Sequence, residues 1–129
     1  MSITYETGLR KPGDMFDLYK TLGWADMLSL TRQQMETAMS GSRHIIYAYD
    51  NDELVGTGRV LTDGALHTYL CGLGVLKEFR GRGIGSEIVN RLSSYCEANG
   101  LHPQFLCEEH MVPFYEKLGF KAFSIGMKK

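Results

Sequence analysis

The sequence lacks an excess of positive charge: 14 Lys and Arg stand against 15 Asp and Glu, for a formal charge of −1 and a pI near 6.4. Proteins that bind nucleic acid through its phosphates usually carry a marked basic excess, so a polyanion is not the expected partner. No apolar run approaches the roughly 20 residues that span a bilayer. The opening "MSITYETGLRKPGD" has neither the basic start nor the apolar stretch of a signal peptide. The expectation is a soluble, cytoplasmic protein with no membrane partner. Cysteine is scarce: Cys71, Cys96 and Cys107 are odd in number and show no C-x-x-C spacing. They read as reduced thiols rather than a disulfide framework or metal ligands. His44, His67, His102 and His110 show no zinc spacing, so no metal is expected.

What the chain does have is enough length, 129 residues, for one domain with one core; residues 1–129 are read as a single unit without repeats or linkers. "SITY" reads as a strand. "DMFDLYKTLGW" forms an apolar stripe of helical period, with Asp14 as the expected N-cap and Gly23 as the stop. "TRQQMETAMSG" opens on a Thr31-x-x-Gln34 capping box and ends at Gly41. The period then shortens. "RHIIYAY", "ELVGTGRVL" and "ALHTYLCGLGV" read as three strands joined by short polar turns, an antiparallel meander. Residues 83–99 form a helix, "PQFLC" a strand, "VPFYEKL" a helix with Pro113 in its first turn, and "FKAFSI" a last strand. A strand–helix–strand unit over residues 66–107 predicts one parallel pair in an otherwise antiparallel sheet. The fold class is α+β, a mixed sheet flanked by helices.

Between the third meander strand and the long helix stands "KEFRGRGIGS". Gly81, Gly83 and Gly85 allow unusual backbone angles and close approach of a ligand. The helix head adds free N–H groups and the positive end of a dipole, which together favour an anion. With Arg80 and Arg82 the loop suits a pyrophosphate. The P-loop pattern is absent, since Gly85 is followed by Ser86 and Glu87 without a lysine, and G-x-G-x-x-G also fails.

The pattern that fits is [QR]-x-x-G-x-[GA], here Arg80-Gly81-Arg82-Gly83-Ile84-Gly85. With "GLGVLKEF" before it and "PFYEKLGF" after it, the chain resembles the GNAT superfamily of acetyl-CoA-dependent N-acyltransferases over nearly its whole length. The resemblance implies a GNAT-like sheet whose parallel βαβ unit carries the CoA site. It implies that Arg80, Gly81, Arg82, Gly83, Ile84, Gly85 and Ser86 hold the CoA pyrophosphate. The backbone of Leu73, Gly74 and Val75 would pair with the pantetheine arm, beside a bulge marked by Gly72 and Gly74. Tyr115 matches the tyrosine that protonates the departing thiolate, and a packed helix face is the competing reading of the same residue.

The implied reaction is acetyl transfer from acetyl-CoA to a primary amine, on a small molecule or a protein, by direct attack. The alternative is a CoA-binding or regulatory module without turnover. An alkyl amine of pKa near 10.4 is neutral in about one part in 2,500 at pH 7, so a base is needed. No motif fixes it; His67, Glu108, Glu109 and His110 are the candidates. Glu108 also stands where many relatives carry Asn. The first two helices should wall the acceptor site, with Tyr19 and Trp24 as aromatic walls or as core. The chain stops soon after "FKAFSIGM", where relatives usually have a further strand. The sheet edge is then either short and guarded by Lys128 and Lys129 or covered by a second copy, which leaves a homodimer open.

Overall fold

A computed structural model describes residues 2–129. They run β1 (Ile3–Glu6), α1 (Asp14–Thr21), α2 (Trp24–Met27), α3 (Arg32–Ser40), β2 (His44–Asp50), β3 (Glu53–Thr62), β4 (Thr68–Val75), α4 (Ile84–Ala98), β5 (Pro103–Gln104) and α5 (Val112–Glu116). Single 3₁₀ turns occupy Lys77–Phe79 and Glu109–Met111. The strands form one sheet in the order β1-β2-β3-β4-β5. Pairing is antiparallel from β1 to β4 and parallel between β4 and β5. This is the mixed, mostly antiparallel sheet expected of the α+β class.

Alternation sorts side chains to the two faces of the sheet. A side chain built at Gly56 or Gly58 of β3 would point at Ile84, Ile88 and Leu92 of α4. One built at Gly74, which pairs with Thr57 in between, would point at Leu22 and Trp24. Helix α4 therefore covers one face, and α1 with α2 covers the other. Ile84, Ile88 and Leu92 are 2%, 0% and 1% exposed, and each such burial contributes about 1.5–3 kcal/mol. On the other side Met15, Leu18 and Tyr19 close the core. Tyr49 ties the layers together: its hydroxyl donates to Asp14 Oδ2 at 2.8 Å and accepts the Arg10 N–H at 3.1 Å. Burial, more than the neighbouring carboxylate, pushes that phenol up to about 12.

The capping box forms as expected, with Gln34 N–H on Thr31 Oγ1 at 3.1 Å and Thr31 N–H on Gln34 Oε1 at 2.9 Å. Asp14, in contrast, is the first residue of α1 and not its cap; Gly13 takes that position, and the Asp14 carboxylate is engaged by Tyr49 instead. Helix α2 was not anticipated, because one turn is too short to display a period. The third meander strand starts at Thr68 rather than Ala65. Asp63 Oδ1 accepts the N–H groups of Ala65, Leu66 and His67 at 2.9, 2.7 and 3.1 Å, which curls those residues into a loop. The expected strand "PQFLC" is reduced to Pro103–Gln104.

The expected last strand, "FKAFSI", is not formed. Strands need a neighbour with free backbone groups, and the two-residue β5 offers almost no ladder. Phe123, Ile125 and Met127 keep their strand-like alternation but stay 65%, 85% and 92% exposed.

Candidate active site

The site begins where two strands part. β4 meets β5 only at Thr68↔Pro103 and Tyr69↔Gln104, so from Leu70 onward that edge of β4 has no strand beside it. On its other edge, Thr57 faces Gly74 while Arg59 faces Cys71, which gives β4 one residue more than β3 over this stretch. The surplus is a bulge, and Gly72 takes it up at φ +64°, a value that a side chain would disfavour. Of the two glycines expected to mark the bulge, Gly72 does so. Gly74 serves packing: a Cβ there would stand 2.5 Å from the Trp24 ring. The opening is a cavity of about 480 Å³ lined by β4, by the segment Phe105–Glu108, by Tyr115, and by Tyr19 and Trp24 from the opposite layer.

At the far end of β4 the chain makes its 3₁₀ turn and enters the glycine loop. Gly81 and Gly83 lie at φ +77° and +82°, and nothing of the protein comes within 4 Å of a Cβ built on either. Gly83 is the N-cap of α4, and the first bond of the helix runs from Glu87 N–H to Gly83 O at 3.0 Å. The N–H groups of Ile84, Gly85 and Ser86 therefore precede any helical acceptor. They open outward with the dipole of a 15-residue helix behind them, which adds about 0.3–1 kcal/mol for an anion. The arginines are used differently from one another. Arg80 Nε donates back to Val75 O at 3.0 Å and pins the loop to the end of β4. Arg82 lies over the Phe79 ring, 5.3 Å from its centre. Of Leu73, Gly74 and Val75, Leu73 lines the cavity, Gly74 pairs with β3, and the Val75 carbonyl is taken by Arg80.

Tyr115 stands on α5, a short helix with Pro113 in its first turn. Its ring packs against Phe105, Phe114 and Phe120 at 4.5, 5.0 and 6.4 Å. It also lines the cavity, so the packed, partly buried ring of this helix is a cavity residue as well. Burial, helped by nearby Cys107, pushes its phenol above the ordinary tyrosine value. The neutral, proton-bearing form is thus favoured further at pH 7.

The four candidate bases separate. Glu108 lines the cavity, with its Oε2 3.5 Å from His110 Nδ1. Glu109 and His110 share its 3₁₀ turn but do not line the cavity. His67 is set apart from the site: it sits in the exposed Asp63 loop, 3.8 Å from that carboxylate, before β4 begins. Tyr19 and Trp24 meet edge to face at 5.0 Å and line the cavity; Tyr19, only 5% exposed, is at the same time part of the core. Sequence reasoning passed over Arg59, Cys71 and Cys107, all at the cavity. For Arg59 a signal existed: a cation inside the apolar strand "ELVGTGRVLT", out of phase with Gly58 and Val60. Among the described residues no cluster of His, Cys, Asp and Glu could hold a metal ion, and no helix is long and apolar enough to cross a membrane.

Residues 14–120 match the model of the Acetyltransferase (GNAT) family. The chain belongs to that family. Among its relatives is an uncharacterized acetyltransferase of Streptococcus pyogenes serotype M1, 30% identical over 81 residues, which are 60% of this chain and 57% of that protein. The match thus spans little more than half the length of this curated relative. A GNAT family protein of Streptococcus pneumoniae TIGR4 superposes with a TM-score of 0.77 at 28% identity, covering 99% of each chain. Glucosamine-6-phosphate N-acetyltransferase of Arabidopsis thaliana shares the fold at a TM-score of 0.80 and 20% identity, over 100% of this chain and 98% of that one. Acetyl transfer to an amine is the general reaction of the GNAT family.

Proposed function

We propose that this GNAT protein uses acetyl-CoA as donor and transfers its acetyl group directly to a primary amine. One observation carries the reading: the gap between β4 and β5 joins the glycine loop at one end to a cavity holding Tyr115 and Glu108 at the other. The N–H groups from Gly81 to Ser86 hold the pyrophosphate in this reading, in the open space before Gly81 and Gly83. The unpaired edge of β4 around Leu73 takes the pantetheine arm, leaving the thioester in the cavity.

The amine nitrogen attacks the thioester carbonyl carbon, the C–N bond forms, and the C–S bond breaks as the tetrahedral intermediate collapses. Tyr115 gives its phenolic proton to the leaving thiolate, and the second proton that nitrogen sheds as the amide forms restores the phenol through solvent. Glu108, the candidate base that lines the cavity, takes the proton that the ammonium must lose. A second copy of the chain covers the alternating Phe123, Ile125 and Met127, which are otherwise open to water.

The test is a thermal melt followed by an amine panel. Acetyl-CoA should raise the melting temperature by linkage, while ATP and NAD raise it little. Gly83→Val should abolish the rise. Its side chain enters the open space before the helix, and the positive φ costs about 1–2 kcal/mol of fold stability. An equal shift with NAD, or an undiminished one in the variant, defeats the reading. Acetyl-CoA binding without CoA release on any amine would assign the chain to the non-catalytic alternative.

A further inference from the structure

We infer that the acceptor amine carries an oxyanion, a carboxylate or phosphate group, which docks on Arg59 and the Tyr19 hydroxyl in the cavity wall above Gly72. The inference rests on the acetyl-transfer reading and specifies its substrate class.

Arg59 is half-buried on β3 and lines the cavity. Its Nη1 donates to Ser42 Oγ at 3.1 Å, and that hydroxyl in turn donates to Ala38 O at 2.8 Å. The serine orients the guanidinium but does not neutralise it. Arg10, Arg32 and Arg91 each have a carboxylate partner, in Glu6, Asp17 and Glu87. Among the described residues, no carboxylate lies within 4.0 Å of Arg59. A partly desolvated cation without a counter-charge is costly. Its planar fork matches the oxygens of a carboxylate or phosphate.

Tyr19 supplies the second observation. The residue is only 5% exposed, yet its hydroxyl has no hydrogen-bond partner among the described residues. It is not sealed in either: among the described residues the one fully enclosed side-chain atom without a partner is Ser93 Oγ. The ring belongs to the cavity wall, which leaves the hydroxyl free to meet a ligand. Both groups converge on one point. A Cβ built on Gly72 would stand 2.7 Å from Tyr19 Oη and 3.0 Å from Arg59 Nε. The same bulge that opens the slot thus leaves room for two donors side by side.

This place is separate from the glycine loop. Arg59 faces Cys71, four residues before Val75, or about 13 Å at the usual strand rise. With Glu108 on the same cavity, the site offers a carboxylate for the ammonium and a cation for the oxyanion of one small zwitterion.

The experiment uses matched acceptors in which the charged group stands several bonds from the amine, so that the amine's basicity barely changes: an ω-amino acid against its methyl ester, and a long-chain aminoalkyl phosphate against the parent amino alcohol. Binding to the CoA-loaded protein is measured first, then kcat and KM with acetyl-CoA. The anionic member of at least one pair should bind about 10–100-fold more tightly, the range for a hydrogen bond to a charged group. The arm that shows the preference identifies the oxyanion. Arg59→Gln should erase it, mainly through KM, while the melting shift with acetyl-CoA stays unchanged. Tyr19→Phe keeps the edge-to-face contact with Trp24 and should reduce the preference by a smaller factor. It serves in place of Arg59→Gln should that variant fail to fold. Equal binding of both members in both arms overturns the oxyanion site and leaves acetyl transfer standing. Absence of any acetyl-CoA shift in the native protein overturns the transferase reading, and this inference with it.

Discussion

The two ends of the sheet are built by different means. From β1 to β4 each strand is held by a backbone ladder, continuous except at its bulges, and α4 seals one face with side chains at or near zero exposure. After Gly100 the ladder shrinks to two pairs, no residue of α5 is fully buried, and the last apolar residues face water. The first region is a rigid frame that presents the glycine loop. The second holds Tyr115 and Glu108; it meets the frame through the two β5 pairs and through Phe105 and Phe120, which pack on the core and flank the Tyr115 ring. In the proposed reaction, cofactor binding and proton transfer would therefore depend on parts of the molecule with different mechanical support.

The largest expected effect separates these roles. Tyr115→Phe keeps the aromatic cluster and removes the hydroxyl, so turnover should fall about 10²–10⁴-fold, the usual range for a positioned general acid. Acetyl-CoA affinity should change little, because its contacts lie in the other region; steady-state kinetics beside a binding titration check both. A tyrosine that donates a proton works as the neutral phenol, and burial favours that form of Tyr115. The basic limb of kcat should accordingly lie above the ordinary tyrosine value of 10.0, and it should vanish in the variant.

A middle-sized effect probes the frame. Ile88 is 0% exposed on the sheet-facing side of α4, so Ile88→Ala should cost about 2–5 kcal/mol in denaturant unfolding. The smallest effect probes the tail. Ile125→Ser should leave stability within about 0.5 kcal/mol, as expected for an exposed position. If a second copy covers this edge, light scattering should give a dimer mass for the native chain and a monomer mass for the variant. A monomer mass for both would remove the dimer.

Legibility in the sequence follows the same division. The meander, the capping box at Thr31 and the helix after the glycines were readable because their signals are local: period, spacing and turn chemistry. The glycine loop's conformation was readable for the same reason, since positive φ at Gly81 and Gly83 is a property of consecutive backbone groups. The tail misled. "FKAFSI" is rich in aromatic and branched apolar residues suited to a strand, but composition cannot supply a partner, and pairing requires one that β5 does not extend far enough to provide. His67 misled in a related way, because its distance from the cavity depends on a loop that Asp63 folds through three N–H bonds.

The sequence by itself determined the order of the main elements, the anion-ready head of α4 and the family resemblance carried by Arg80–Gly85 and "FYEKLGF". Each of these is written in residues close together along the chain. Only the tertiary structure decided what surrounds the reacting centre. Tyr19, Arg59, Gly72, Glu108 and Tyr115 come from separate elements, and no spacing rule links them. They meet because β4 gains a residue against β3 and loses β5 after two pairs. That register is settled by packing on both faces of the sheet at once, a condition that no local stretch of sequence contains.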